Sequence, residues 1–110
     1  MEHDRREEQG ALIVSFEGEV DLEQSPKARE VLLDSVAQEK NVLVDLSGVT
    51  YIDSSGVASL VEAFQMAKQK GVAFGLVSVN AAALRVLQLA RLDKVFVIHE
   101  TLADGLGGGS

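Results

Sequence analysis

Cysteine and tryptophan are absent from this 110-residue chain, proline occurs once, and aromatics make up only 5% of it. Without cysteine there is no disulfide framework, no thiolate metal site and no cysteine nucleophile, which fits a reducing compartment. So few aromatic rings exclude a base-stacking platform for single-stranded nucleic acid. Positive charge is also scarce: 10 Lys and Arg stand against 17 Asp and Glu, a formal net charge of −7. No basic stripe is present, so nucleic acid is not an expected partner. No run of about 18 apolar residues exists to span a membrane. Met1 to Gln9 is charged and has no signal-peptide pattern, so the expected location is cytoplasmic, without direct membrane insertion.

What the chain does have is an alternation of two hydrophobic periods. At 46% hydrophobic and 25% charged residues, it has the composition and length of one domain with its own core. Residues 1–10 read as a polar tail or as an edge strand protected by its charges. Ala11 to Phe16 is a β-branched and aromatic run stopped by Gly18. Ser25-Pro26 reads as a helix start, with Ser25 as N-cap and Pro26 at the first helical position. Val42 to Leu46 is a nearly unbroken apolar run, as in a strand covered on both faces.

A short loop then leads to Asp53-Ser54-Ser55-Gly56, which opens a second helix with Val57, Leu60, Val61, Phe64 and Ala67 inward and Gly71 as its stop. Ala73 to Val77 is a further strand. Asn80 caps a third helix to about Arg91, with Leu84, Leu87 and Ala90 inward, and Val95 to Ile98 is the last strand. Thr101 caps a short final helix with Leu102 and Leu106 as apolar contacts. Residues 107–110 have the composition of a flexible Gly/Ser tail. The expected class is α/β, with a mostly parallel sheet flanked by helices over residues 11–106.

Two serine hydroxyls at a helix N-terminus have a definite chemistry. Backbone N–H groups there lack partners, and the helix dipole favours negative charge. A phosphoryl group would meet those donors, while Asp53 beside it repels the same charge. The simpler reading is that Asp53, Ser54 and Ser55 only cap the helix. Gly56 costs about 1 kcal/mol against alanine in a helix, and its missing side chain admits another backbone.

The order and spacing of several pieces resemble the STAS family, and within it the bacterial anti-sigma-factor antagonists. They are Gly18-Glu19-Val20-Asp21, Ser25-Pro26, Val44-Asp45-Leu46, Tyr51-Ile52-Asp53-Ser54-Ser55-Gly56, Lys70-Gly71, and Leu87 to Phe96. The resemblance implies a mixed sheet with the N-terminal segment as an antiparallel edge strand. It also implies partner switching. The unmodified protein binds an anti-sigma factor that is a serine kinase of histidine-kinase-like ATPase fold. That kinase phosphorylates Ser54, with Ser55 as secondary candidate, and a serine phosphatase reverses it. Asp21, Asp53, Ser55, Gly56 and Val57 are the expected contact surface, with Asp45 close by.

Two departures stand out: Val57-Ala58 where the family often has Leu-Gly, and Arg91 where it often has Gly. Family members also serve lipid-transporting ABC systems, anion transporters and signalling scaffolds, so a subunit binding a membrane transporter, or a signalling scaffold, without phosphorylation is the alternative. No enzyme is expected, because Ser54 has no base in sight. No metal is expected either, since His3 and His99 lack spaced ligand partners. No cofactor is expected, because Gly105 to Gly109 lacks the Lys-Ser/Thr of a phosphate loop.

Overall fold

The computed structural model describes residues 1–108. Among these residues the strands are β1 (Glu2–Glu8), β2 (Ala11–Val20), β3 (Asn41–Ile52), β4 (Phe74–Val77) and β5 (Val97–His99). The helices are α1 (Ser25–Ala37), α2 (Ser54–Lys70) and α3 (Ala81–Leu89), and a wide terminal turn spans Asp104–Gly108. The strands lie in the order β1-β2-β3-β4-β5. β1 runs antiparallel to β2, and the remaining pairs are parallel.

β1 and β2 are joined by Gln9-Gly10, with φ of 51° and 81°. Two consecutive positive φ values make the two-residue turn whose twist matches a hairpin. All of β1 is exposed, and its charges protect the open edge. Arg5 binds Asp34 of α1 at 2.6 Å, and Lys40 binds Glu7 at 2.5 Å, so the strand is also fastened to the helical layer.

The parallel strands read as continuous apolar runs because both faces are covered. Leu12, Val14 and Phe16 of β2, with Val42, Val44 and Leu46 of β3, form the main core with the inner faces of all three helices. On the opposite face Ala11, Ile13, Leu43 and Val77 are covered by Leu102 and Leu106. Gly105 lets that terminal segment lie flush on the sheet, since a Cβ there would stand 2.8 Å from Val77 Cγ1. Thr101 Oγ1 accepts the Asp104 N–H, as a cap does. Of the segment expected as a flexible tail, Gly107 and Gly108 lie in the terminal turn. Gly109 and Ser110 lie outside the described residues.

Several boundaries differ from expectation, each for a local reason. Ser25 is not the cap of α1 but its first residue. Gln24 is the N-cap and makes no side-chain cap bond; Asp21 instead closes the turn before the helix, its Oδ1 accepting the N–H groups of Glu23 and Gln24. β3 does not end at Leu46; it continues to Ile52, and register shifts against β2 absorb Ser47-Gly48, which looks like a loop in the sequence. β5 starts two residues later than expected, because Val95 and Phe96 both donate to Leu92 O in a turn. Ala90 is exposed; Ala83 and Leu87 form the buried side of α3.

α2 and α3 end in the same hydrogen-bond pattern. In α2, Val72 N–H bonds Ala67 O and Gly71 N–H bonds Lys68 O, with Gly71 at φ 72°. In α3, Leu92 N–H bonds Leu87 O and Arg91 N–H bonds Gln88 O, with Arg91 at φ 60°. This motif needs a left-handed residue, and glycine occupies it without a Cβ penalty. Arg91→Gly is therefore expected to raise stability by about 1 kcal/mol. Urea denaturation checks this, and an unchanged or lower midpoint would mean the Arg91 side chain contributes something this geometry does not show.

Candidate functional site

β2 and β3 end side by side, Val20 paired with Ile52, and the Asp53 N–H reaches Val20 O at 3.4 Å. Asp53 leaves the strand in extended conformation and caps α2. Its Oδ1 accepts the Ser55 N–H at 3.0 Å, the Gly56 N–H at 3.2 Å and the Ser55 hydroxyl at 2.5 Å. These donors hold the Asp53 carboxyl below the usual carboxylate range. The Ser55 hydroxyl contributes most, against the opposing effect of desolvation, and the N–H groups of Gly56, Ser55 and Leu22 add to it.

Because the folded-state pKa is depressed, ionised Asp53 stabilises the fold above its unfolded value of 3.8, and this is lost as pH falls through the folded value. Asp53→Ala is expected to be less stable than the parent at neutral pH, with the gap closing in acid. Thermal unfolding from pH 7 to pH 3 measures it; a gap that persists unchanged at low pH would show that the carboxylate charge plays no part.

The two serines differ sharply in environment. Ser54, the first residue of α2, is exposed, and its hydroxyl has no hydrogen-bond partner among the described residues. Ser55 is half-buried, its hydroxyl is committed to Asp53, and its carbonyl accepts the Ser59 hydroxyl. Ser59 also donates to Ser25 O, which stitches α2 to α1. Asp21 lies at the end of β2, in the turn that runs into α1. Asp21, Asp53, Ser54 and Ser55 thus meet at the carboxyl ends of two parallel strands, where open α/β sheets place their sites.

Three expectations are corrected by burial and position. Gly56, expected on the contact surface, is turned inward. It is buried, and the backbone it admits is the chain's own: a Cβ there would stand 2.6 Å from Val20 O and 2.8 Å from Ile52 Cγ1. Val57 is 6% exposed and belongs to the core. Asp45 lies within β3, paired to Ser15 and Val77, with its Oδ1 accepting the Ser47 N–H. It is nine residues before the first residue of α2, on an extended strand, and among the described residues makes no hydrogen bond with Asp53, Ser54 or Ser55.

The sequence reading also missed two residues. Leu22 and Tyr51 flank the helix start and are 73% and 52% exposed. Both continue apolar patterns in the sequence, so nothing marked them as surface groups. Asn80 does more than cap α3 through the Ala83 N–H; its Nδ2 donates to Val49 O at 2.5 Å and Leu46 O at 3.2 Å, bracing the bulged part of β3. Among the described residues no group of three or more His, Cys, Asp or Glu is placed to hold a metal ion, and no helix is long and apolar enough to cross a membrane.

Comparison with known proteins agrees with this geometry. The family model described as the STAS domain matches residues 3–105. The anti-sigma-F factor antagonist RsfB of Mycobacterium tuberculosis is 34% identical over 100 residues, covering 90% of this chain and 81% of that protein. The anti-sigma-B factor antagonist of Bacillus subtilis is 26% identical over 103 residues, covering 94% of each. The crystal structure of an anti-sigma factor antagonist from Mycobacterium paratuberculosis superposes with a TM-score of 0.88 at 28% identity, covering 96% of this chain and 90% of that one. The chain belongs to the STAS domain family, and the relatives it resembles there are anti-sigma factor antagonists.

Proposed function

We propose that this protein is a cytoplasmic anti-sigma-factor antagonist that works by partner switching and has no catalytic activity of its own. Unmodified, it binds an anti-sigma factor and so releases the sigma factor held by it. The same partner, a serine kinase of histidine-kinase-like ATPase fold, transfers a phosphoryl group to Ser54, and a serine phosphatase removes it. The observation that carries this reading is the difference between the two serines: Ser54 offers an exposed, unpaired hydroxyl at the first turn of α2, while that of Ser55 is held by Asp53.

A phosphoryl group on Ser54 does not require α2 to unfold. It sits at the N-terminal end of α2, where the dipole favours an anion, while the Ser55 and Gly56 N–H groups are already held by Asp53 and the Asp53 carboxylate opposes it. The fold survives, and the surface changes from a small neutral hydroxyl to nearly two negative charges.

Capture from lysates of the native cells tests this. Wild type and Ser54→Ala are expected to retain an anti-sigma factor, identified by mass and confirmed by titration of the purified pair, while Ser54→Asp is not. Capture of a membrane permease or its ATPase instead, equally by all three, would overturn the antagonist reading.

A further inference from the structure

Leu22 is 73% exposed, yet the turn that carries it is tightly fixed. Asp21 Oδ1 accepts from Glu23 N–H at 3.1 Å and Gln24 N–H at 3.0 Å. Asp21 O accepts from Gln24 and Ser25, and Leu22 O accepts the Ser25 hydroxyl at 3.3 Å. An apolar side chain held out on a pre-ordered turn loses little chain freedom when a partner covers it. The Asp53 N–H bonds Val20 O at 3.4 Å, two residues before Leu22, so the turn and the start of α2 form one surface.

The side-chain charges along this surface are of one sign, with the Met1 amino group near Gly18 as a positive neighbour. Glu17, Glu19, Asp21, Glu23 and Asp53 lie along the ends of β2 and β3 and the turn after β2. There is no Lys or Arg between Arg6 and Lys27, nor between Lys40 and Lys68. The first basic residues of α1 are already matched, Lys27 with Glu30 and Arg29 with Glu62.

We propose that Leu22 is the apolar anchor of the docking surface beside Ser54, and that the protein seated there presents an apolar pocket for Leu22 ringed by Lys and Arg. This rests on the partner-switching reading and deepens it by naming the partner's chemistry. The roles divide by position. The carboxylates at the rim stay solvated and steer the approach. Leu22 and Ser54 at the centre are stripped of water, as residues that dominate an interface are. A basic rim is compatible with release on phosphorylation, because a central phosphate must lose its hydration, a cost that attraction across a wet rim does not offset.

The test is titration of the anti-sigma factor captured by wild type, purified, against Leu22→Ser, Leu22→Met and Ser54→Asp. Leu22→Ser is expected to bind at least about thirtyfold more weakly. Leu22→Met, which keeps the apolar bulk, stays within about threefold of wild type. The melting temperature of free Leu22→Ser should match the parent, since the side chain is already in water, so lost binding cannot be charged to lost folding. Raising salt from about 0.05 to 0.5 M should weaken wild-type binding at least about tenfold.

Leu22→Ser binding as tightly as wild type while Ser54→Asp does not bind would overturn the anchor and leave partner switching standing. Salt-independent binding would overturn the basic rim. Failure of wild type itself to bind any anti-sigma factor would overturn both this proposal and the reading beneath it.

Discussion

Gly56→Ala is expected to destabilise the protein by about 3 kcal/mol, even though glycine-to-alanine within a helix normally gains about 1 kcal/mol. The reversal comes from what lies under the first turn of α2. A Cβ on residue 56 would stand 2.6 Å from Val20 O, 2.8 Å from Ile52 Cγ1 and 3.0 Å from Val20 Cγ1. None of these can move aside easily. Val20 and Ile52 are 3% and 5% exposed and pair across the sheet, and Val20 O already accepts the Asp53 N–H. The helix start must therefore lift from the sheet, taking with it the Asp53 cap and Ser54.

For a domain of this size the loss corresponds to a fall in melting temperature on the order of 15 °C. Urea and thermal unfolding both report it. A variant as stable as the parent, or more so, would contradict the close approach of α2 to β2. Gly56 thus serves the site from beneath, by seating the helix whose first residue is Ser54.

Phosphorylation of Ser54 is expected to weaken binding of the anti-sigma factor by about a hundredfold or more, which corresponds to about 3 kcal/mol. The hydroxyl is small and neutral, so covering it costs little. The phosphate carries close to two charges, and Asp53 and Asp21 stand beside it on the same surface. Removing that charge from water without matched basic groups costs several kcal/mol. Ser54→Asp, with one charge in place of two, should reproduce most of the loss, and Ser54→Ala none of it.

Ser55→Ala should also keep its affinity, because the Ser55 hydroxyl is turned to Asp53 and not to the partner. Calorimetric titration of the phosphorylated and unmodified forms measures the difference, and far-UV circular dichroism should be the same for both. Equal affinity of the two forms would show that the hydroxyl lies outside the interface.

The helix start of α2 was readable because its chemistry is local: an Asx cap, two small hydroxyl residues and an apolar stripe ending at Gly71 depend on neighbours a few positions away. The mixed sheet followed from alternating periods and the family resemblance. What stayed hidden depends on contacts between distant segments. Ser47-Gly48 looks like a loop, but in three dimensions it lies in a bulged strand, where a Cβ on Gly48 would stand 2.8 Å from Glu17 Cγ. Gly56 was recognisable as a place where a backbone approaches; that the backbone was Val20 was not. Leu22 follows Val20-Asp21 as a strand continuation would, and only the turn built by Asp21 puts it in solvent. Arg91 stood out as an unusual residue, and its φ of 60° gives the physical reason glycine suits that position.

The most direct test of the switch is the intact mass of the protein isolated from its native cells, alongside Ser54→Ala and Ser55→Ala. The prediction is one added phosphate in the parent and in Ser55→Ala, and none in Ser54→Ala. A protein that carries no phosphate under any growth condition, or one that loses it only in Ser55→Ala, would contradict the assignment of Ser54 as the switch.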